Sequence, residues 1–577
     1  KGSYVRYEPK ELNSNTIITF GHGDGGGGPE DAQLEYHERM KKGLPGIPRT
    51  KIEFAGDYLD RIRTKLEDDP RLPKWVGELY LEFHRGTYTS IAKNKKNNRK
   101  SEFLYENAEL LSCMAKLLTG HEYEQKKLNE GWKIILLNQF HDIIPGSSIK
   151  PVYDKSDEDY AVVFEKGGSV LKSAKKAITD NIGTDGGVLV FNPNSFAGFG
   201  AVEVDGEAVY AENIPPKGYK VIKPEKVKAD YTFKDKTLET KYYTVEFDDD
   251  YSIKRLYDKL NRREVLRDGG RANVIEAYED YPYQYDAWEL SNYYEDKMYE
   301  INSVEGTETF DEGERFGIIV KRKFLDSDFS QKICFYEHSP RIDFVTLADW
   351  KQEHYMVKAA FDIDVNTDKA TYDIQFGTIQ RNTHRNTSWD AAKFEVCAHK
   401  FMDMGDYGYG VSLMNDCKYG HNVKDGTMKL SLFKCATEPN PDADKGLHSF
   451  TYSLYPHAGD YRQAGTIKLA YDLNIPMTAQ KIGRQSGFLP DEYSFVKCSA
   501  DNFIIETVKK AEDSGSVIVR GYECFNKHTD VTLDFGFDIK SAKICDLMEN
   551  ETDVPEVCGN KVSFKAKPFE IITLKIN

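Results

Sequence analysis

The chain is 577 residues long, 40% hydrophobic and 30% charged, with a formal net charge of -16. Its length exceeds what one hydrophobic core serves, so several domains are expected. The negative charge argues against nucleic acid and anionic membrane as partners, since both select a basic surface, and no apolar run approaches the roughly eighteen residues of a spanning helix.

Lys1-Gly2-Ser3-Tyr4 gives no sign of a secretory n- and h-region. The nine cysteines include no Cys-x-x-Cys pair, which suits scattered reduced thiols better than a disulfide framework or a Cys-ligated zinc site. Residues 16–20 predict a short strand, followed by a glycine run and helical patterning from Ala32 to Met40, the order of a β/α unit. Gly25 to Gly28 lack both the G-K-[ST] of a phosphate-binding loop and the dinucleotide spacing. In a β/α barrel the loop after a strand lies at the active face, which makes Asp24 a candidate site residue; a carboxylate stabilising a glycine turn is the plainer reading.

From 69 to 182 the pattern turns helical. Leu104, Ala108, Leu111, Ala115 and Leu118 trace one apolar stripe. Leu128, Trp132, Ile135, Leu136, Phe140 and Ile143 trace a second, and Tyr160, Val163, Val170, Leu171, Ala174 and Ile178 a third. Three such helices cover one another as a bundle. Pro145 and Gly146 stop the second helix, so His141 and Asp142 are expected on its last turn. Residues 77–90, rich in titratable and hydroxyl groups without a clean period, read as a site-lining loop.

Beyond Asn181 short strands are expected at 188–191, 242–247, 318–320, 341–346, 356–365, 428–433, 450–454 and 466–473, with a last set from Phe503. Asp248-Asp249-Asp250 reads as a hairpin turn rather than a cation site. Tyr285-Asp286-Ala287-Trp288-Glu289 suits either sugar stacking or packing between domains. The expected architecture is multidomain α/β plus all-β: the end of a (β/α) barrel (1–68), a three-helix bundle (69–182), a small β domain (183–224), a large β-sandwich (225–497) and a C-terminal β domain (498–577).

Phe20-Gly21-His22-Gly23-Asp24, Leu81-Glu82-Phe83-His84-Arg85-Gly86, Phe140-His141-Asp142-Ile143-Ile144-Pro145-Gly146, Asn386-Thr387-Ser388-Trp389-Asp390, Asn415-Asp416-Cys417-Lys418-Tyr419 and Tyr455-Pro456-His457 occur in that order. Together they resemble glycoside hydrolase family 38, the retaining α-mannosidases, in the branch that includes cytosolic and vacuolar enzymes. The resemblance implies a zinc-dependent enzyme acting on α-mannoside glycans in the cytoplasm. Retaining hydrolysis needs two carboxyl groups, and zinc accepts neutral imidazole and carboxylate ligands.

By this resemblance His141 is a zinc ligand and Asp142 a hydrogen-bonding partner of substrate or of the ligand shell. The family's Tyr-Ala-Asp or Tyr-Ser-Asp acid/base context is replaced by Leu81-Glu82-Phe83-His84, leaving Glu82, His84 and Asp24 as proton-donor candidates, Glu82 on condition that burial raises its pKa. Asp416, Lys418 and Tyr419, otherwise a turn on a sandwich surface, become candidate substrate contacts. The His-x-Asp pair that opens the family's barrel and its nucleophilic aspartate are not found. The expectation is therefore the C-terminal part of such an enzyme, completed by a preceding segment or a second chain and inactive without it. A homo-oligomer stays open, and the alternative function is a non-catalytic carbohydrate-binding or scaffold protein.

Overall fold

The computed structural model describes residues 2–23, 26–43, 45–46 and 48–577, in two units, Lys1–Tyr80 and Leu81–Asn577. Asp24 lies outside the described residues. The first unit holds three helices, α1 (Gly2–Arg6), α2 (Asp31–Met40) and α3 (Ala55–Leu66). A capping box between Glu30 and Gln33 starts α2. The strand expected at 16–20 is not formed: this stretch pairs with no strand among the described residues, and Ile17, Ile18 and Phe20 stand 44%, 58% and 47% exposed. β propensity states what fits a pleated surface; it cannot supply the neighbouring ladder. Leu12 and Leu66 are the buried apolar side chains of the unit among the described residues.

The second unit opens with a bundle of α4 (Ala92–Thr119), α5 (Gln125–Asn138) and α6 (Lys150–Thr179). Tyr105 of α4 is its wedge. The ring is fully buried, its hydroxyl donates to the Val163 carbonyl at 3.0 Å, and it fills the notches left by two glycines. A Cβ at Gly131 of α5 would lie 1.7 Å from the Tyr105 hydroxyl, and one at Gly167 of α6 would lie 2.5 Å from the ring. This contact selects which face of α5 turns inward. Leu128, Gly131, Ile135 and Asn138 are buried, whereas Leu136, Leu137 and Phe140, the first and last of them expected inside, are 60%, 61% and 58% exposed. Apolar residues cover so much of α5 that period alone does not fix the face, and a glycine is invisible to an apolar count.

The large sandwich packs an eleven-stranded antiparallel sheet on a nine-stranded one. Phe344 meets Phe361 across the layers at 5.9 Å and Trp350 meets Phe433 at 5.1 Å, all four rings buried. Asp248 to Asp250 form the turn between Tyr243–Phe247 and Ile253–Asp258, with the Tyr251 amide donating to the Asp248 carbonyl at 3.1 Å. After the short α7 (Ser388–Ala392), the expected strand at 466–473 is instead a helix, α8 (Thr466–Asn474). Its buried residues, Thr466, Ile467, Ala470, Tyr471 and Asn474, follow helical spacing.

The small sheet pairs Gly187–Asn192 with Gly218–Ile222 and with Thr478–Ile482, and Glu492–Ser494 adds to its edge, so residues far along the chain return to it. Two further sheets spanning 496–576 form the C-terminal sandwich. All nine cysteines are free thiols. Among the described residues no helix is long and apolar enough to cross a membrane.

Two outcomes follow for the bundle. Gly131→Ala overpacks the Tyr105 contact and should lower stability by about 1–3 kcal/mol, read from the urea midpoint of tryptophan fluorescence; Tyr105→Leu in the same background should recover part of the loss. Glu109 of α4 accepts from the Trp132 indole at 2.9 Å, and burial pushes its carboxyl up to about 7. Between its ordinary value and about 7 the folded chain holds a proton that the unfolded chain has released, so stability falls as pH rises through that window. Glu109→Gln should flatten this slope in thermal unfolding followed from pH 5 to 8.

Candidate active-site loops beside the helix bundle

Two short helical turns, Glu82–His84 and Gly86–Tyr88, lead into α4. Glu82, Phe83 and His84 are exposed, and burial begins at Arg85. The Arg85 guanidinium donates to the Ala392 carbonyl at 3.0 and 2.8 Å, lies 3.4 Å from Glu289 and stands over the Phe394 ring at 4.3 Å. At Gly86 the backbone passes so close to the sandwich that a Cβ would sit 2.8 Å from the Glu289 carbonyl; its amide donates to Trp288 at 2.8 Å. Ser90 donates through its hydroxyl to the Ala287 carbonyl at 2.7 Å. The segment Tyr285 to Glu289 thus serves as a packing element for this loop. Exposed Glu82 lacks the burial on which its reading as a proton donor rested.

The start of α4 is capped from outside. Ile91 takes a left-handed conformation at φ 53° and offers no side-chain cap, so the Asp444 carboxylate of the sandwich accepts from the Ile91 and Ala92 amides at 2.6 and 2.7 Å. Burial pushes the Asp444 carboxyl up to about 6, against the pull of those amides and of Lys418 and Lys95.

His141 and Asp142 lie beyond the end of α5, not on its last turn. The helix stops at Asn138, and the Phe140 carbonyl is taken by the Ile143 and Ile144 amides at 2.8 and 3.2 Å, which tightens the chain into successive turns. Gly146, at φ 88°, passes against the first loop, where a Cβ would lie 2.2 Å from the Ser90 carbonyl. The His141 side chain is 77% exposed, its Nε2 3.7 Å from Asp142 Oδ2. Asp142 is oriented by the Ser147 hydroxyl at 2.7 Å, and Tyr153 donates to its carbonyl at 3.0 Å.

Asp416, Lys418 and Tyr419 lie not on a surface turn but against α4. Arg99, itself buried, donates to Asn415 Oδ1 at 2.8 Å, to the His399 and Lys418 carbonyls at 3.1 and 3.0 Å, and to the Tyr419 hydroxyl at 3.1 Å. Its plane covers the Tyr419 ring at 4.2 Å. Burial pushes the Asp416 carboxyl up, but Lys100 at 3.2 Å and bonds from Cys417 and Thr451 outweigh it and hold the group below its ordinary value. Lys418 donates to the Leu432 carbonyl at 2.5 Å, and burial pushes its ammonium down. These side chains are occupied by the seam between bundle and sandwich.

A catalytic zinc ion takes three protein ligands and leaves one position open. Among the described residues no group of three or more His, Cys, Asp or Glu converges, and His141 with Asp142 offers two donors, so these residues do not by themselves make a zinc site.

Three family profiles match the chain: the alpha mannosidase middle domain over 82–178, the glycosyl hydrolases family 38 C-terminal domain over 238–442, and the glycosyl hydrolases family 38 C-terminal beta sandwich domain over 502–574. The middle-domain match contains both exposed loops. The chain belongs to glycosyl hydrolase family 38. It is 32% identical to Alpha-mannosidase 2C1 of Homo sapiens, over 97% of this chain and 56% of the human protein. It is 30% identical to Alpha-mannosidase G of Dictyostelium discoideum, over 97% of this chain and 58% of that protein. The chain thus spans about half the length of the curated relatives it matches. An alpha-mannosidase from Enterococcus faecalis V583 shares the fold at TM-score 0.78 and 16% identity, over 95% of this chain and 74% of that one.

Sequence reasoning passed over Asn94, Arg99 and Asp444, which together with Lys95 hold the loops. The signal was present in the eight consecutive polar residues from Lys93 to Lys100, a helical stretch with no apolar face to bury. Arg99→Ala should cost about 3–5 kcal/mol, because Asn415, Lys418 and Tyr419 lose a buried partner, whereas Tyr419→Phe should cost about 1 kcal/mol. Chemical denaturation gives both values, and limited proteolysis of the Arg99 variant should cut near 415–419.

Proposed function

We propose that this chain forms part of an α-mannosidase that removes terminal α-linked mannose from glycans with retention of configuration. The observation that carries the reading is the pairing of two exposed polar loops, Glu82 with His84 and His141 with Asp142, on one buried scaffold inside the middle-domain match. Its relatives at 29–32% identity carry the name alpha-mannosidase. In this reading the loop at 82–84 protonates the leaving oxygen, Glu82 once bound substrate or the rest of the enzyme covers its exposed carboxyl, and Asp142 accepts a hydrogen bond from a sugar hydroxyl. Zinc is the proposed cofactor, with His141 as one ligand and the remaining donors outside the described residues. A cytoplasmic location accords with nine free thiols.

The nucleophile and the other zinc ligands are unassigned within these 577 residues. The isolated chain is therefore expected neither to hydrolyse p-nitrophenyl α-mannoside in excess zinc nor to hold the metal through purification. Robust turnover by a homogeneous preparation would overturn that division of labour. In a complete enzyme His141→Ala should lose bound zinc while unfolding at the wild-type temperature. Glu82→Gln should slow aryl mannosides with poor leaving groups about 100-fold and activated ones little. Equal losses on both substrates would move the proton donor away from Glu82. Glycan binding without turnover by every form of the protein would favour the carbohydrate-binding alternative.

A further inference from the structure

Both loops that carry the proposed chemistry converge on one side chain. Lys95, in the first turn of α4, is buried to 5% exposure and donates from its ammonium to the Ser90 carbonyl at 2.5 Å and to the Ile144 carbonyl at 2.9 Å. Ser90 ends the loop that bears Glu82 and His84; Ile144 lies two residues beyond Asp142. The neighbouring Asn94 donates to the Ile143 carbonyl at 2.9 Å and accepts from the Ser156 hydroxyl of α6 at 3.0 Å. Ile143 also packs with Trp288 against a small buried cluster of Ile91, Tyr153, Ala287, Ala436 and Ala443.

We infer that Lys95 is a positioning residue: its ammonium ties the 82–90 loop to the 140–146 turn and so fixes the separation between the Glu82/His84 pair and the His141/Asp142 pair. The physical case is one of competing partners. Neither loop is more than a few isolated turns, and a carbonyl withdrawn from water needs a donor, so carbonyls from two different segments are held together by the one cation that serves both. Asp444, which caps the same turn of α4, supplies the opposing charge from the sandwich side. Lys95 touches no substrate in this arrangement and acts through the backbone of its neighbours. The catalytic consequence rests on the function proposed above; the tie itself does not.

The test compares Lys95→Met with Lys217→Met. Lys217 is a second buried lysine, donating to the Glu506 carbonyl at 3.2 Å in a different part of the fold. In the 577-residue chain, hydrogen exchange of the Thr89, Ser90, Gly146 and Ser147 amides should quicken at least about 10-fold in Lys95→Met and stay unchanged in Lys217→Met. If Lys95→Met does not fold, Asn94→Ala is the milder probe and should quicken the Ile143, Ile144, Gly146 and Ser147 amides alone. In a complete enzyme Lys95→Met should lower kcat about 100-fold with KM within a factor of three, as misplaced reacting groups do. Unchanged exchange in a folded Lys95→Met, or equal quickening in Lys217→Met, would overturn the tie. Quickened exchange with unchanged kcat would instead overturn the assignment of chemistry to these two loops.

Discussion

The structure depends on the burial of a polar helix end. The first two turns of α4 carry Asn94, Lys95, Asn98 and Arg99 into the seam between bundle and sandwich, all of them less than 9% exposed. Burying cations and amides this way is stabilising only when each finds a partner, because the desolvation cost of an unpaired ammonium or guanidinium exceeds what packing returns. The partners are there: the carbonyls of Ser90, Ile143, Ile144, His399 and Lys418, joined by the side chains of Asn415, Tyr419, Ser156 and Gln139. Backbone acceptors demand irregular segments whose carbonyls are free of a ladder. The loops at 82–90 and 139–148 and the corner at 415–419 meet that requirement, and their conformations are dictated by the helix they serve.

The rest of the bundle is arranged to keep that helix end in place. Tyr105, farther along α4, fixes its rotation against both partners by entering notches at Gly131 and Gly167, and Asp444 closes the open amides at its start. Gly86 and Gly146 admit backbone-to-backbone approach where a side chain could not fit, one against the sandwich and the other against Ser90. The small residues therefore mark where segments touch, and the long cations mark what they touch for.

On that scaffold the candidate chemistry is held at the surface. Glu82, His84 and His141 project from tightly bonded turns yet are themselves exposed, a combination of rigid backbone and free side chain suited to groups completed by substrate and by ligands supplied from elsewhere. Asp416, Lys418 and Tyr419 show the opposite combination, side chains bonded into the seam, the first two buried and Tyr419 half-buried. The middle-domain match over 82–178 spans both loops.

The sequence by itself determined the bundle, the long all-β region, the hairpin at Asp248 to Asp250 and the family, because these depend on periodicity, turn chemistry and ordered motifs that are local in the chain. It also singled out His141 and Asp142, although as part of a helix. Tertiary structure decided the rest. The stretch at 16–20 and that at 466–473 both carry β-prone residues, but a strand exists only where a neighbour completes its ladder, and the second stretch became α8 because its buried positions pack with helical spacing. The face of α5 was set by Tyr105 meeting a glycine, a contact between residues 26 positions apart by number. Likewise Lys95 and Arg99 stand in a run of polar residues, and only the fold brings the Asp444 charge near Lys95 and seats Arg99 on Asn415, 316 residues away; a cation is buried only when such partners arrive to receive it.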